Sequence, residues 1–501
     1  MKAPRLQAAQ ACLRGAFLRS ALLTRFNRRQ SVSKGFHFHR FAFVLFFMAV
    51  PAAVAQQLSR QQLDTQYQEA VADFNAGRFD AAADKLEKVL PYATHSDVVH
   101  ELLGMVYASL NERDKALDQL KLAVQLNPNS AAARTNLGTL LLQMGRHALA
   151  GEQFVKAQQL EPESYDANHD LGEFYVQAGR FADAQPLLAK AQMIQPSYDN
   201  GYDLVMADFM LGRLEDGRRT AKELLAQHNT GELHNLLARI DEKDGKFLEA
   251  ANEYETAAHL DPSEDNLFDW GSEMLLHRTY EPAITIFRQA TQRYPKSPRI
   301  FIGLGLALYS RGTYDEAVKA LIAAADLAPT DAHCYYFLSK AYDSSPGQAD
   351  EVIQRFRRYA ELEPENALAQ YYYALSLWKG KRSQNTSVDT TMVEALLKKS
   401  IALDGTIADS HVQLGDLYAD QHEYEKSIPE YVSALELNPN LSDAHYRLGT
   451  DYVHTGKRDL AQQEFAVYQK LRAEHLAEID KERAEVQQFV SSATNATGPQ
   501  H

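Results

Sequence analysis

The run GLGLAL at residues 303–308 is the first place where this sequence offers chemistry, because glycines two apart let a backbone approach a phosphate. A phosphate loop needs more than Gly303 and Gly305. It requires a third glycine, a strand before it and a helix opening after it, or a Lys followed by Ser or Thr for the longer motif. The run has none of these and sits inside a helix-period pattern, so it is no nucleotide cradle. Other constellations are missing too: the sequence contains no HExxH, no GxSxG and no Cys/His pair at metal-ligand spacing. The 17 histidines are scattered, and pairs such as Asp203 and Asp208 recur by number alone in a chain with 66 carboxylates. The two cysteines, Cys12 and Cys334, cannot build a disulfide framework, and Cys334 reads as a small buried apolar residue. The expectation is a non-enzyme with no catalytic residue, no cofactor and no metal.

Charge narrows the partners. The chain of 501 residues carries a formal charge of -14, but residues 1–55 hold nine Lys/Arg and no Asp or Glu, which leaves -23 on the remainder. A surface so acidic repels phosphate backbones, so nucleic acid is excluded as a partner.

Residues 1–55 read as an address. The nine basic residues from Lys2 to Arg40 are followed by the apolar run FAFVLFFMAVPAAV and the small-residue site Ala53-Val54-Ala55. This is the order of an export signal, cleaved after Ala55, and the run is shorter than the roughly 20 apolar residues of a membrane span. The mature chain is therefore expected to be exported, periplasmic or extracellular, with anchoring through residues 41–54 as the alternative.

The elements that position everything else come from an internal repeat. Gly104, Gly138 and Gly172 stand 34 residues apart, as do Gly271 and Gly305, and Gly415 and Gly449. Prolines run in the same period at Pro128, Pro162 and Pro196, then Pro262, Pro295, Pro329, Pro364 and Pro439, and alanines at Ala123, Ala157 and Ala191 keep phase with them. Ladders locked at this period mark stacked supersecondary units. In Ala131–Ser164 apolar residues fall at helical spacing on either side of a turn at Gly145, and Pro162 stops the second helix. Gly305 thus becomes a packing residue at the eighth place of a first helix, where two helices cross.

In this phase the sequence resembles tetratricopeptide repeats. Leu137-Gly138, Gly145, Ala150, Phe154, Ala157 and Pro162 carry the pattern in one copy, and Gly305, Gly312, Tyr314, Ala317, Leu321, Ala324 and Pro329 in another. The resemblance implies an all-α fold, a right-handed superhelical solenoid of antiparallel helix pairs. About twelve copies begin near residues 63, 97, 131, 165, 198, 231, 264, 298, 332, 367, 408 and 442. The copy from Tyr198 lacks the Gly, Ala and Pro marks, and the copy from Ala367 carries the insertion GKRSQNTSV. The expected layout is a signal at 1–55, a polar lead at 56–62, the array at 63–475, a capping helix at 476–490 and a disordered tail at 491–501.

The resemblance also implies an inner face lined chiefly by the first helix of each pair. Its lining is polar early on, with Glu101, Thr135, Asn136, Gln143, His169, Asp170 and Glu173, and then turns aromatic or apolar at Phe268, Ile302, Tyr309, Tyr336, Tyr371, Trp378 and Tyr446. The runs CYYFLSKAY and QYYYALSLW hold more aromatics in succession than one buried stripe absorbs, which sends some outward. Lys340 and Arg447 lie too far apart for the basic clamp by which some such arrays grip a C-terminal carboxylate, and Asn136 is followed by Asp170 in place of an asparagine ladder. The expectation is a non-catalytic exported scaffold that holds a protein or extended peptide in its groove. The alternative is a carbohydrate-binding accessory or enzyme-associated envelope protein that uses the groove aromatics as sugar platforms.

Overall fold

A computed structural model describes residues 60–344, 348–383 and 389–496. Residues 1–59, 345–347, 384–388 and 497–501, and with them the expected signal and part of the insertion, lie outside the described residues. Among the described residues there are 24 α-helices, one 3-10 turn at Leu90–Tyr92 and no strand. They form two compact units that divide between Pro262 and Ser263.

The first unit pairs α1 (Arg60–Asn75) with α2 (Phe79–Val89), α3 (Asp97–Ser109) with α4 (Arg113–Leu126), and α5 (Ala131–Gln143) with α6 (His147–Leu160). It continues with α7 (Tyr165–Gln177) and α8 (Phe181–Ile194), α9 (Tyr198–Leu211) and α10 (Leu214–Leu225), and α11 (Gly231–Lys243) and α12 (Phe247–Leu260). The second unit pairs α13 (Glu264–Leu276) with α14 (Tyr280–Arg293), α15 (Pro298–Arg311) with α16 (Tyr314–Leu327), and α17 (Ala332–Ser344) with α18 (Ala349–Leu362). Then come α19 (Ala367–Ser383) with α20 (Thr390–Leu403), α21 (Ala408–Asp420) with α22 (Tyr424–Leu437), and α23 (Ser442–His454) with α24 (Arg458–Ala496). Within each unit every second helix also packs on the first helix that follows it, so each pair buries its apolar face against its neighbours.

Local chemistry repeats with the fold. Ser130, Ser164, Ser197, Thr230, Ser263 and Ser297 each precede a first helix and accept a hydrogen bond from the backbone N–H three residues on. That capping satisfies one of the orphan donors at the helix start. The turn inside a pair uses one left-handed residue, glycine at Gly145, Gly179 and Gly312 but Asn111, Arg278 and His422 in three other pairs.

The crossing glycines are packed without slack. A Cβ on Gly305 would lie 2.5 Å from Leu321 Cγ, and one on Gly138 would lie 2.9 Å from Phe154 Cε1. Gly104, Gly172, Gly271, Gly415 and Gly449 meet Leu120, Leu188, Phe287, Tyr431 and Phe465 in the same way. Each of these seven glycines faces the residue sixteen places ahead, on the second helix of its own pair. Gly303 has a separate job: its Cβ would fall 2.5 Å from Phe287 Cε1, on the second helix of the preceding pair. Both glycines of the GLGLAL run are thus explained by helix crossings.

One boundary departs from expectation. Residues 476–490 do not form a helix of their own; they continue α24, which also takes in residues 491–496. Neither glycine nor proline interrupts this stretch, so the helix propagates. The pair from Tyr198, which lacks the family marks, is tied to its successor by charge. Arg218 of α10, buried with its side chain 8% exposed, donates to Asp241 at 2.7 Å and Asp244 at 2.7 Å, and it also pairs with Glu215.

Candidate protein-binding surface

The residues that could meet a partner stand on first helices. In the second unit α13 packs beside α15, α15 beside α17 and α17 beside α19, so these helices form a continuous wall. The fifth and twelfth residues of a first helix are seven apart, two turns, and lie on one face of it. All seven sequence-selected groove residues occupy these two places.

Burial divides them. Phe268 (5% exposed), Ile302 (2%) and Tyr371 (8%) are buried, whereas Tyr309, Tyr336 and Trp378 are partly exposed and Tyr446 is 51% exposed. Phe268 lies 6.0 Å from the Phe287 ring, with the Arg299 guanidinium 5.1 Å from its own. Tyr371 leans on Tyr372 at 5.4 Å, and burial pushes its phenol well above the ordinary value, with Asp409 and Asp343 adding to the shift. Among the exposed members, Tyr336 sits edge-on to Phe337 at 5.1 Å with the Lys340 ammonium 5.7 Å from its ring. Tyr309 lies 5.5 Å from Tyr314, and Tyr446 rests on Phe465 and Tyr468 at 5.7 and 5.2 Å. These contacts hold the rings in place while leaving part of each at the surface.

The core takes up more aromatics than the two tyrosine-rich runs led us to expect. Tyr371, Tyr372 and Tyr373 are all buried, as are Tyr335 and Tyr342. A first helix in a stack has neighbours on several sides: Tyr372 meets Phe356 of α18, and Tyr373 accepts a hydrogen bond from Arg357 Nε. Tyr335 stacks flat on Tyr359 at 4.0 Å and donates to the Pro329 carbonyl.

The polar lining of the first unit is largely spent on joining pairs. Fully buried Asn136 of α5 donates to Glu101 of α3 at 2.8 Å, and burial, with Asp97 adding a smaller repulsion, pushes Glu101 up to about 7. His169 Nδ1 meets Asn200 Oδ1 at 3.2 Å while its ring stacks on Tyr165. Thr135 is buried, Asp170 and Glu173 are partly exposed, and Gln143 reaches solvent. Of the two isolated basic residues, Arg447 is paired with Asp416 at 2.7 Å. Burial pushes the Cys334 thiol up to about 12, the reverse of what a nucleophile needs. Among the described residues no group of three His, Cys, Asp or Glu side chains could hold a metal ion, and no helix is long and apolar enough to cross a membrane.

Fold and surface together define a helix-pair repeat array. Models of the tetratricopeptide repeat match residues 101–159, 141–200, 277–332 and 415–456, so the pairs in those segments are tetratricopeptide repeats. Among curated proteins the chain is similar to protein bimA of Emericella nidulans, 24% identical over 183 residues, which are 36% of this chain and 22% of that protein. It is also similar to the mouse protein O-mannosyl-transferase TMTC3, 21% identical over 192 residues, 36% of this chain and 20% of that one. The chain thus spans about a fifth of the length of these relatives. Among solved structures, yeast Tom70 aligns at 16% identity over 86% of this chain and 97% of that one, with a TM-score of 0.35. A tetratricopeptide repeat protein from Parabacteroides merdae aligns at 17% identity over 50% of this chain and 99% of that one, with a TM-score of 0.36.

Proposed function

We propose that this chain is an exported, non-catalytic scaffold that binds a protein or an extended peptide along the first-helix wall of its second unit. The observation that supports this reading is the placement of Tyr309, Tyr336 and Trp378 at the fifth or twelfth place of α15, α17 and α19, each partly exposed, with Tyr309 against Tyr314 and Tyr336 against Phe337; Tyr446, against Phe465, holds the fifth place of α23 further along the unit. Aromatic anchors on a rigid support carry a disproportionate share of binding energy, about 2 kcal/mol or more for a central one. Phe268, Ile302 and Tyr371, being buried, serve the reading as the floor under those anchors. Export is carried by the basic and apolar segment 1–55, and the mature protein is proposed to begin at Gln56.

Affinity capture from the envelope of the source cell tests the surface. The double substitution Tyr336→Ala and Trp378→Ala should lower recovery of a specific polypeptide more than tenfold while circular dichroism stays unchanged. Equal recovery would sink the proposal. Retention of a polysaccharide that depends on Trp378 would favour the sugar-platform alternative. N-terminal sequencing of the exported protein tests the signal: a start at Gln56 supports it, and retention of residues 41–54 would make them an anchor.

A further inference from the structure

Four first helices carry histidine at their fourth place, and each ring reaches the residue nineteen positions ahead on the second helix of its pair. His411 Nδ1 meets Glu430 at 2.7 Å, His445 Nδ1 meets Glu464 at 2.5 Å, and His100 Nδ1 meets Gln119 at 2.7 Å. His234 Nδ1 is bound to Glu253 likewise. In two of the four the other ring nitrogen faces a backbone carbonyl six residues earlier: His100 Nε2 lies 3.0 Å from Thr94 O, and His445 Nε2 lies 3.0 Å from Pro439 O. One side chain thereby ties the incoming connection, the first helix and the second helix together.

The chemistry of the acceptors separates these cases. Gln119 can turn its amide to offer an N–H, so the His100 bridge closes around a neutral ring. His445 has no such freedom, because a carboxylate and a carbonyl only accept. Both ring nitrogens must then carry a proton for both bonds to exist. Glu464, from α24, is the charged group that faces the ring, and the connection from α22 presents the Pro439 carbonyl. The neighbouring charges are engaged elsewhere, Arg447 with Asp416 of α21 and Asp451 with Ser427 of α22, while His454 stacks on Tyr424 of α22.

We infer that His445, clamped between Glu464 and the Pro439 carbonyl, is a proton-dependent latch that fastens α23 to α24 and to the connection before it. A ring that loses one proton loses one of its two bonds, so the latch is closed only while both nitrogens are protonated. Its neighbour Tyr446 is the most exposed of the proposed anchors, so the latch also sets how firmly that ring is held. The device stands on the helix pair alone and does not require the proposed scaffold role.

Histidine side-chain nitrogen resonances of the full chain, labelled with nitrogen-15 and assigned with His445→Gln, test this directly. In the folded chain both ring nitrogens of His445 should carry a proton, as its two accepting partners require. Glu464→Gln should abolish that signature while the bridge closes around a neutral ring as at His100, whereas Glu464→Ala should cut hydrogen-exchange protection of α23 about tenfold, the loss of one charge-assisted hydrogen bond. A neutral tautomer at His445 in the unmodified chain would overturn the latch. So would a doubly protonated ring that Glu464→Gln leaves unchanged.

Discussion

Several joints in the two units solve the same packing problem with different chemistry, although the second unit also has the polar Arg447–Asp416 joint and the first the Phe154–Phe174 ring joint. In the first unit, α3, α5, α7 and α9 meet their neighbours through buried polar groups, with Asn136 on Glu101 and His169 on Asn200, and the α10–α11 join rests on Arg218 between Asp241 and Asp244. In the second unit, α13, α17 and α19 meet theirs through rings, with Phe268 on Phe287, Tyr335 on Tyr359 and Tyr372 on Phe356. Polar joints demand complete pairing, whereas ring joints tolerate a residue that is only partly covered. At the fifth and twelfth places of its first helices the second unit presents partly exposed rings at Tyr309, Tyr336, Trp378 and Tyr446.

Substitution can break this contrast. The largest effect is expected at the polar joint: Arg218→Met leaves Asp241 buried without its partner and should cost about 3–5 kcal/mol in urea unfolding. A cost below about 1 kcal/mol would show that the joint is not held by charge. Next come the crossings. Gly172→Leu in the first unit and Gly305→Leu in the second should each cost about 1–3 kcal/mol, since both glycines meet a leucine on their own second helix. Equal costs would show that the crossings are indifferent to the chemistry of the joints around them, and no cost at Gly305 would refute the packing described there.

Acidity should separate the units more gently. Glu101 is held at about 7, above its unfolded value, so the folded state binds the extra proton, and stability falls as pH rises from about 4.5 to about 7. Glu101→Gln should flatten that part of the stability profile, and an unchanged profile would contradict the burial of the carboxylate. The smallest effect is a gain. Arg278 holds a left-handed conformation (φ 60°) in a turn that other pairs fill with glycine, so Arg278→Gly should raise the unfolding free energy by about 0.5–1 kcal/mol.

The helix pairs were legible because their marks recur in phase. The expected starts at 97, 131, 165, 198 and onward coincide with observed first helices, including the pair from Tyr198 that lacks the family marks. What the pattern did not disclose is which side of a first helix each aromatic takes. Tyr336 and Tyr371 occupy the same place in successive pairs, yet one is partly exposed and the other buried, because cover depends on the side chains that neighbouring helices supply. Gly303 was missed for a similar reason, since its partner Phe287 belongs to the previous pair and breaks the one-pair logic of the ladder. The nineteen-residue step from His445 to Glu464, and from His411 to Glu430, is visible in the sequence once the hairpin geometry gives it meaning.

The side-by-side first helices have a metric consequence. Two turns along one helix span about 10 Å, and adjacent packed helices lie about 8–10 Å apart, so the fifth and twelfth places lay out a lattice of nearly square mesh. A strand crossing it at about 3.3 Å per residue would meet a node at every third residue, and a helix lying along it at every seventh. On the proposed reading the wall of the second unit would act as a ruler, selecting partners by the period of their side chains as much as by their identity.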